Sequence, residues 1–238
     1  MTELIFQKDS YIKEFECKVI GVDVAENAVI LDRTAFYIGG GGQPCDVGVL
    51  ETAADKYIVK KIKKKGNDVY HYIDEKTPEV NEICTGKIDW EHRYKLMRTH
   101  TAMHILCGVV WRDYKAQVTG GDMDCLKGRM DFEFENFDKA LVEEIEEKVN
   151  KEVQCKRDIK VNILGREEAF KIPDLIRTKI NLLPEGIKQI RTVEIEGLDL
   201  QADGGTHVKN TLEVGKIKIV DYKSKGKTNK RIYVEIEG

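Results

Sequence analysis

The stretch Glu91-His-Arg-Tyr-Lys-Leu-Met-Arg-Thr-His-Thr-Ala-Met-His-Ile-Leu106 contains neither proline nor glycine. It predicts a helix over residues 91–112. Leu96, Ala102, Met103, Ile105, Leu106 and Val109 are distributed so as to bury more than one side of it. The histidines at 100 and 104 stand one turn apart on a single face, the arrangement by which a helix offers two imidazoles to one metal ion. The chain changes character at this helix. Upstream, the segments 17–22, 28–31, 57–62 and 69–73 read as short strands separated by Asn, Asp and Gly, with Lys65-Gly-Asn-Asp68 as a turn. That spacing suggests antiparallel meanders closing into a small barrel.

Downstream the pattern is mixed. Gly128–Phe134 alternates with period two, and Asp138 opens a helix running to about Glu152 with Val142, Ile145 and Val149 at helical spacing. A further helix over 166–171 ends before Pro173, and Val193–Ile195 is strand-like. The C-terminus reads as a hairpin, 216–220 against 231–236, with a basic loop over 221–230. The expected architecture is α+β: a β-rich, barrel-like domain over 1–88 packed on a second domain over 89–238. There is no internal repeat.

Composition narrows the functional classes. Apolar residues make up 41% and charged residues 34% of 238, as in ordinary globular proteins. No apolar run approaches the roughly 18 residues of a membrane span, and residues 1–10 lack the basic-then-apolar order of a signal peptide. A cytoplasmic protein is expected. Six cysteines without a CxxC pair read as free thiols there. The net charge of −3 makes no general case for nucleic acid, but 209–238 carries eight Lys/Arg against four Asp/Glu, and Lys60–Lys65 is a second basic run.

Two further constellations bear on chemistry. Gln201-Ala-Asp-Gly-Gly-Thr-His207 sets a carboxylate and an imidazole four residues apart across two glycines, free to fold back toward one point. With only five histidines in the chain, His100, His104, His207 and Asp203 form a candidate four-ligand site for a zinc-like ion. If the three histidines alone bind, a fourth position is left for a water, whose pKa zinc lowers toward about 7. A zinc-protease helix is excluded, because Thr101 stands where that motif needs glutamate. Phe36-Tyr-Ile-Gly-Gly-Gly-Gly-Gln-Pro-Cys-Asp46 exposes a bare backbone whose N–H groups can approach a ligand, although no Gly-Lys-Ser/Thr follows to make a phosphate loop.

Taken in order, Asp32-Arg-Thr-Ala-Phe-Tyr37, Gly40–Pro44 with Asp46 and Gly48, Arg98-Thr-His-Thr-Ala-Met-His104 and Asp203-Gly-Gly-Thr-His207 resemble the alanyl-tRNA editing proteins of the AlaX type. These are freestanding relatives of the alanyl-tRNA synthetase editing domain, and the chain is similar to their medium-sized class over residues 17–236. The resemblance implies a two-layer C-terminal editing domain with an antiparallel sheet, and one zinc ion per chain held by His100, His104 and His207. Asp203 stands where the family has cysteine, so the implied set is either His3Asp, with a harder fourth ligand, or three histidines and water. It further implies that Gly40, Gly41, Gly42, Gln43 and Pro44 line the region near the reactive ester. Thr34 matches a threonine bearing on amino-acid discrimination.

The implied reaction is zinc-dependent hydrolysis of the ester of tRNA(Ala) mischarged with serine or glycine. An alanine pocket rejects these poorly, and a second site remedies that. Lys223, Lys225, Lys227, Lys230 and Arg231 are then candidate phosphate contacts. Two rivals stay open: a noncatalytic tRNA-binding module, and a metal-dependent hydrolase of a small ester or amide.

Overall fold

The computed structural model describes residues 1–74, 76–178, 183 and 186–237. It divides into two compact units, Met1–Lys95 and Leu96–Gly238. In the first, a two-residue strand β1 (Glu3–Leu4) pairs in parallel with β4 (Arg33–Thr34). Strands β2 (Glu14–Asp23), β3 (Ala28–Leu31), β5 (Gly48–Glu51), β6 (Lys56–Lys65), β7 (Asp68–Ile73) and β8 (Ile83–Ile88) close a barrel in the order β2-β3-β7-β6-β5-β8. Every neighbouring pair of the barrel is antiparallel. Alternation explains the interior: Phe15, Cys17 and Val19 of β2, Val59 of β6 and Val69 of β7 point inward, while the lysines of β6 face out. Closure removes the free edges that so strand-rich a segment would otherwise expose.

Helix α1 (Trp90–Tyr114) carries the quoted stretch, and the division between the units falls within it. From Thr99 to Val110 every residue is buried, so the helix is covered on more than one side, as its apolar distribution predicted, before Arg112 and Asp113 emerge. Next come β9 (Val118–Asp124), β10 (Lys127–Glu133) and α2 (Lys139–Gln154). Asp138 caps α2 by accepting from the Leu141 N–H, and Val142, Ile145, Val149 and Val153 form its buried face. The rest of the unit is β11 (Ile159–Gly165), α3 (Arg166–Ala169), β12 (Gln189–Ile195), β13 (Asp199–Ala202), β14 (Ile217–Ser224) and β15 (Asn229–Ile236). They form two antiparallel sheets, β14-β15-β10-β9 and β11-β12-β13. Helix α2 covers the free edge of β14. Asn150 bonds both the N–H and the C=O of Ile217, and Glu146 accepts from the Ile219 N–H.

The architecture is thus the expected α+β, with a barrel first and antiparallel sheets after it. The differences lie at element ends. The helix expected over 166–171 keeps one α turn, after which Lys171 and Ile172 bond back three residues and tighten the chain before Pro173. The basic loop expected over 221–230 shrinks to 225–228, because both hairpin strands run further. Lys230 occupies an inward position of β15 that its charge disguises. Its ammonium is enclosed by Ser224 Oγ and the carbonyls of Gly226 and Lys227. Among the described helices, none is long and apolar enough to cross a membrane.

Candidate metal centre

In the second unit, α1 presents His100 and His104, and the turn after β13 returns Asp203 and His207 to the same face. One ligand atom from each residue can be chosen so that all four lie within 4.8 Å of one another. The three imidazole rings have centroids 4.2–5.0 Å apart, with His100 stacked on His207. Asp203 bridges them: its Oδ2 is 3.0 Å from His207 Nε2, and its Oδ1 is 3.6 Å from His100 Nε2. The glycines of the motif act as the spacing implied, since the Gly205 N–H turns back to donate to Asp203 Oδ2 at 2.8 Å. Arg191 of β12 donates to the Asp203 carbonyl and lies 3.5 Å from its carboxylate.

The electrostatics suit a cation. Burial pushes His100 well below the ordinary histidine range and His207 down to about 4, so both are neutral at physiological pH. Asp203 stays ionised: burial opposes its charge, but the imidazoles, His100 first, hold its pKa well below the usual carboxylate range. For His104, burial also opposes protonation, yet Asp199 outweighs it and raises the pKa. Neutral imidazoles beside an anionic oxygen are the donor chemistry a borderline divalent ion such as zinc accepts. The set can hold one ion.

Groups around the centre were not apparent from sequence. Asp199 Oδ2 lies 3.1 Å from His104 Nδ1, and Thr101 Oγ1 lies 3.1 Å from His207 Nδ1. Gly108 lets Asp199 reach α1, because a Cβ there would come within 3.0 Å of Leu198 and Asp199 side-chain atoms. A signal for Asp199 existed in the alternation of Asp199, Gln201 and Asp203, which places all three on one side of an extended strand.

Thr34, Gln43 and the glycines belong to the first unit. Gly39 through Gly42 have φ of +92°, +137°, +59° and +90°, four consecutive values that side-chain-bearing residues rarely adopt. The loop closes on itself through paired backbone bonds between Gly40 and Gln43, and the Tyr37 hydroxyl donates to the Gly40 carbonyl. Gln43 is buried, whereas Gly40 and Gly41 are exposed. A buried ion pair anchors the loop. Asp46 accepts from the Tyr37 N–H and from Arg93, whose guanidinium also bonds the Ser10 and Ala35 carbonyls. Arg93 looks in sequence like a solvated helix charge but is wholly buried. The Thr34 hydroxyl is buried against His71 Nε2 at 2.9 Å and accepts from the Phe36 N–H.

The basic candidates fall into two groups. Arg231 forms a bidentate pair with Asp131, Lys230 is enclosed, and Lys223 pairs with Asp221 over the Tyr233 ring. Lys225 and Lys227 are exposed at the hairpin turn.

Family models match both units. Residues 190–233 match the threonyl and alanyl tRNA synthetase second additional domain, and residues 7–92 match the class II (A) tRNA synthetases. The alanyl-tRNA editing protein AlaX-M of Saccharolobus solfataricus is 41% identical over 242 aligned positions, covering 100% of both chains. The chain belongs to the AlaX-M family of alanyl-tRNA editing proteins. A second AlaX-M protein, from Methanosarcina barkeri, is 37% identical over 98% of each chain. The alanine–tRNA ligase of Ignicoccus hospitalis is 39% identical over 92% of this chain but only 24% of its own length. The chain is therefore similar end to end to the AlaX-M relatives, and to one segment of a ligase.

Proposed function

We propose that the chain is a trans-editing hydrolase that deacylates tRNA(Ala) mischarged with serine or glycine, with one zinc ion per chain. The observation that carries this reading is the convergence of His100, His104, Asp203 and His207 in a chain similar along its full length to proteins named for alanyl-tRNA editing. When bound, zinc supplies Lewis-acid charge to an ester carbonyl or acidifies water. The imidazoles hold the ion with neutral nitrogens, and Asp203 adds the anionic ligand. Gly41 and Gly42 would offer bare backbone for close approach to the ester, with Gly40 and the buried Gln43 closing that loop through their paired backbone bonds. Thr34 bears on selectivity through the hydroxyl capacity left after its bonds to His71 and Phe36. A site built to bond the serine hydroxyl rejects alanine far better than a merely apolar pocket would. Lys225 and Lys227 meet tRNA phosphates first, with Lys223, Lys230 and Arg231 shaping the hairpin that presents them.

The test is metal quantification followed by deacylation of Ser-, Gly- and Ala-tRNA(Ala), with and without chelator and across a salt series. Stoichiometric zinc and chelator-sensitive, salt-weakened turnover of the seryl or glycyl form support the proposal. Tight tRNA binding without turnover points to a noncatalytic module, and salt-insensitive cleavage of small esters points to an unrelated hydrolase.

A further inference from the structure

We propose that Asp199 and Thr101 are positioning residues that fix the tautomers of His104 and His207, so that each ring turns its Nε2 toward the bound ion. The inference rests on the metal-site reading above and concerns atoms outside its ligand set.

An imidazole that binds a metal must present one unprotonated nitrogen and carry its proton on the other. Asp199 Oδ2 lies 3.1 Å from His104 Nδ1, and a carboxylate oxygen can only accept, so that nitrogen is the donor. Gln201 Nε2 donates to the same Asp199 oxygen at 2.7 Å, and Arg177 lies 3.5 Å from the other. The carboxylate is buried, and its Oδ2 is held by Gln201, while Oδ1 has the ion-pair contact with Arg177 but no hydrogen bond among the described residues. On the opposite flank, Thr101 Oγ1 already accepts from the Val208 N–H at 3.3 Å and stands 3.1 Å from His207 Nδ1. A hydroxyl oxygen has two acceptor lone pairs, and the second fits the His207 Nδ1–H. His207 Nε2 is then the nitrogen facing Asp203 at 3.0 Å. Without an ion that carboxylate would draw the proton to Nε2, so the assignment holds for the ion-loaded chain. There a cation shared by Nε2 and Asp203 takes the proton's place, and Thr101 receives the Nδ1–H. Thr101 therefore has work of its own at the position where a zinc-protease helix carries its glutamate: it ties the C-terminal ligand turn to α1.

Such outer partners are worth about 10–100-fold in metal affinity. Zinc affinity of the intact chain is to be measured by chelator competition for wild type, Thr101→Val, Thr101→Ser, Asp199→Asn and Asp199→Ala. The expected result is about 10–100-fold weaker binding for Thr101→Val and Asp199→Ala, a smaller loss for Asp199→Asn, and recovery in Thr101→Ser. A purely packing role for Thr101 would leave the Val variant, matched in shape, at wild-type affinity and would overturn the inference. Imidazole 15N spectra of the zinc-loaded wild type give a reading independent of variant folding. Protonated Nδ1 with metal-shifted Nε2 on both rings supports the assignment, and metal on either Nδ1 overturns it. A wild type that binds no zinc removes the metal reading and this inference together. Unchanged variant affinities with a zinc-binding wild type remove this inference alone.

Discussion

His71 in the barrel and His207 in the second unit are both pushed down to about 4, each by burial first. Their surroundings differ. His71 Nδ1 meets the Val29 carbonyl at 3.2 Å and its Nε2 meets the Thr34 hydroxyl at 2.9 Å, so both nitrogens end on neutral protein groups. His207 instead stacks on a second imidazole, lies edge-on to a third and faces a carboxylate. A depressed histidine is by itself only a statement about burial. What separates a candidate centre from a satisfied core residue is the convergence of several ligand-type groups on one point.

The sharpest way to break this contrast is His104→Ala. Zinc affinity should fall by more than about 100-fold, exceeding the loss from an outer partner, and metal-dependent turnover should vanish with it. Retention of either would dissolve the distinction between the two regions. Next comes Arg93→Met in the first unit, which strands Asp46 as a buried charge. It should cost about 3–5 kcal/mol in denaturant unfolding while folded protein keeps its zinc, and loss of zinc instead would mean the two networks are not separate.

A pH series follows. A histidine with a folded pKa of about 4 and an ordinary value of 6.5 binds fewer protons folded than unfolded. Its contribution is therefore complete above pH 6.5 and is lost as pH falls toward 4, by about 3 kcal/mol. In His71→Asn that segment of the stability–pH curve should flatten, and an unchanged slope would assign the loss to other groups.

A smaller effect is expected from Thr34→Val, which strips His71 Nε2 of its partner. The stability cost should be about 1–3 kcal/mol, with serine-over-alanine discrimination reduced and zinc content unaltered. Unaltered discrimination would confine Thr34 to the barrel's internal bonding. The smallest change should come from Lys225→Ala with Lys227→Ala: a salt slope of tRNA binding lowered by about 1 per lost phosphate contact, read by titration at several ionic strengths.

Local patterns carried much of this in the sequence, and long-range ones did not. The 91–106 stretch shows its helix through an unbroken apolar distribution, and Asp138 shows the start of α2 through its capping chemistry. The barrel was legible from the alternation of β2, β6 and β7, although β5 and β8, which complete its closure, are too short or too polar to stand out. The four clustered residues were legible because two lie on one helical face and two flank a pair of glycines. Thr101 was not, since a hydroxyl 106 residues from its histidine leaves no local periodicity, and the alternation that sets Asp199 on the side of Asp203 does not show the histidine 95 residues away that it meets. Arg93 and Lys230 mislead for another reason: charge at a buried position reads as surface until the carbonyls that surround it are known.

Asp203 has a chemical consequence of its own. The clustered donors are nitrogen and oxygen, with no sulfur among them. A cysteine thiolate in that place would be open to peroxide, rising through sulfenic to sulfinic acid and losing its hold on an ion. Cys107, which accepts from Gln201 beside the centre, is buried, and burial first of all drives its thiol pKa far up, leaving it in the unreactive protonated form. With a carboxylate at position 203, an ion held by these four residues would have no sulfur ligand for such oxidants to attack.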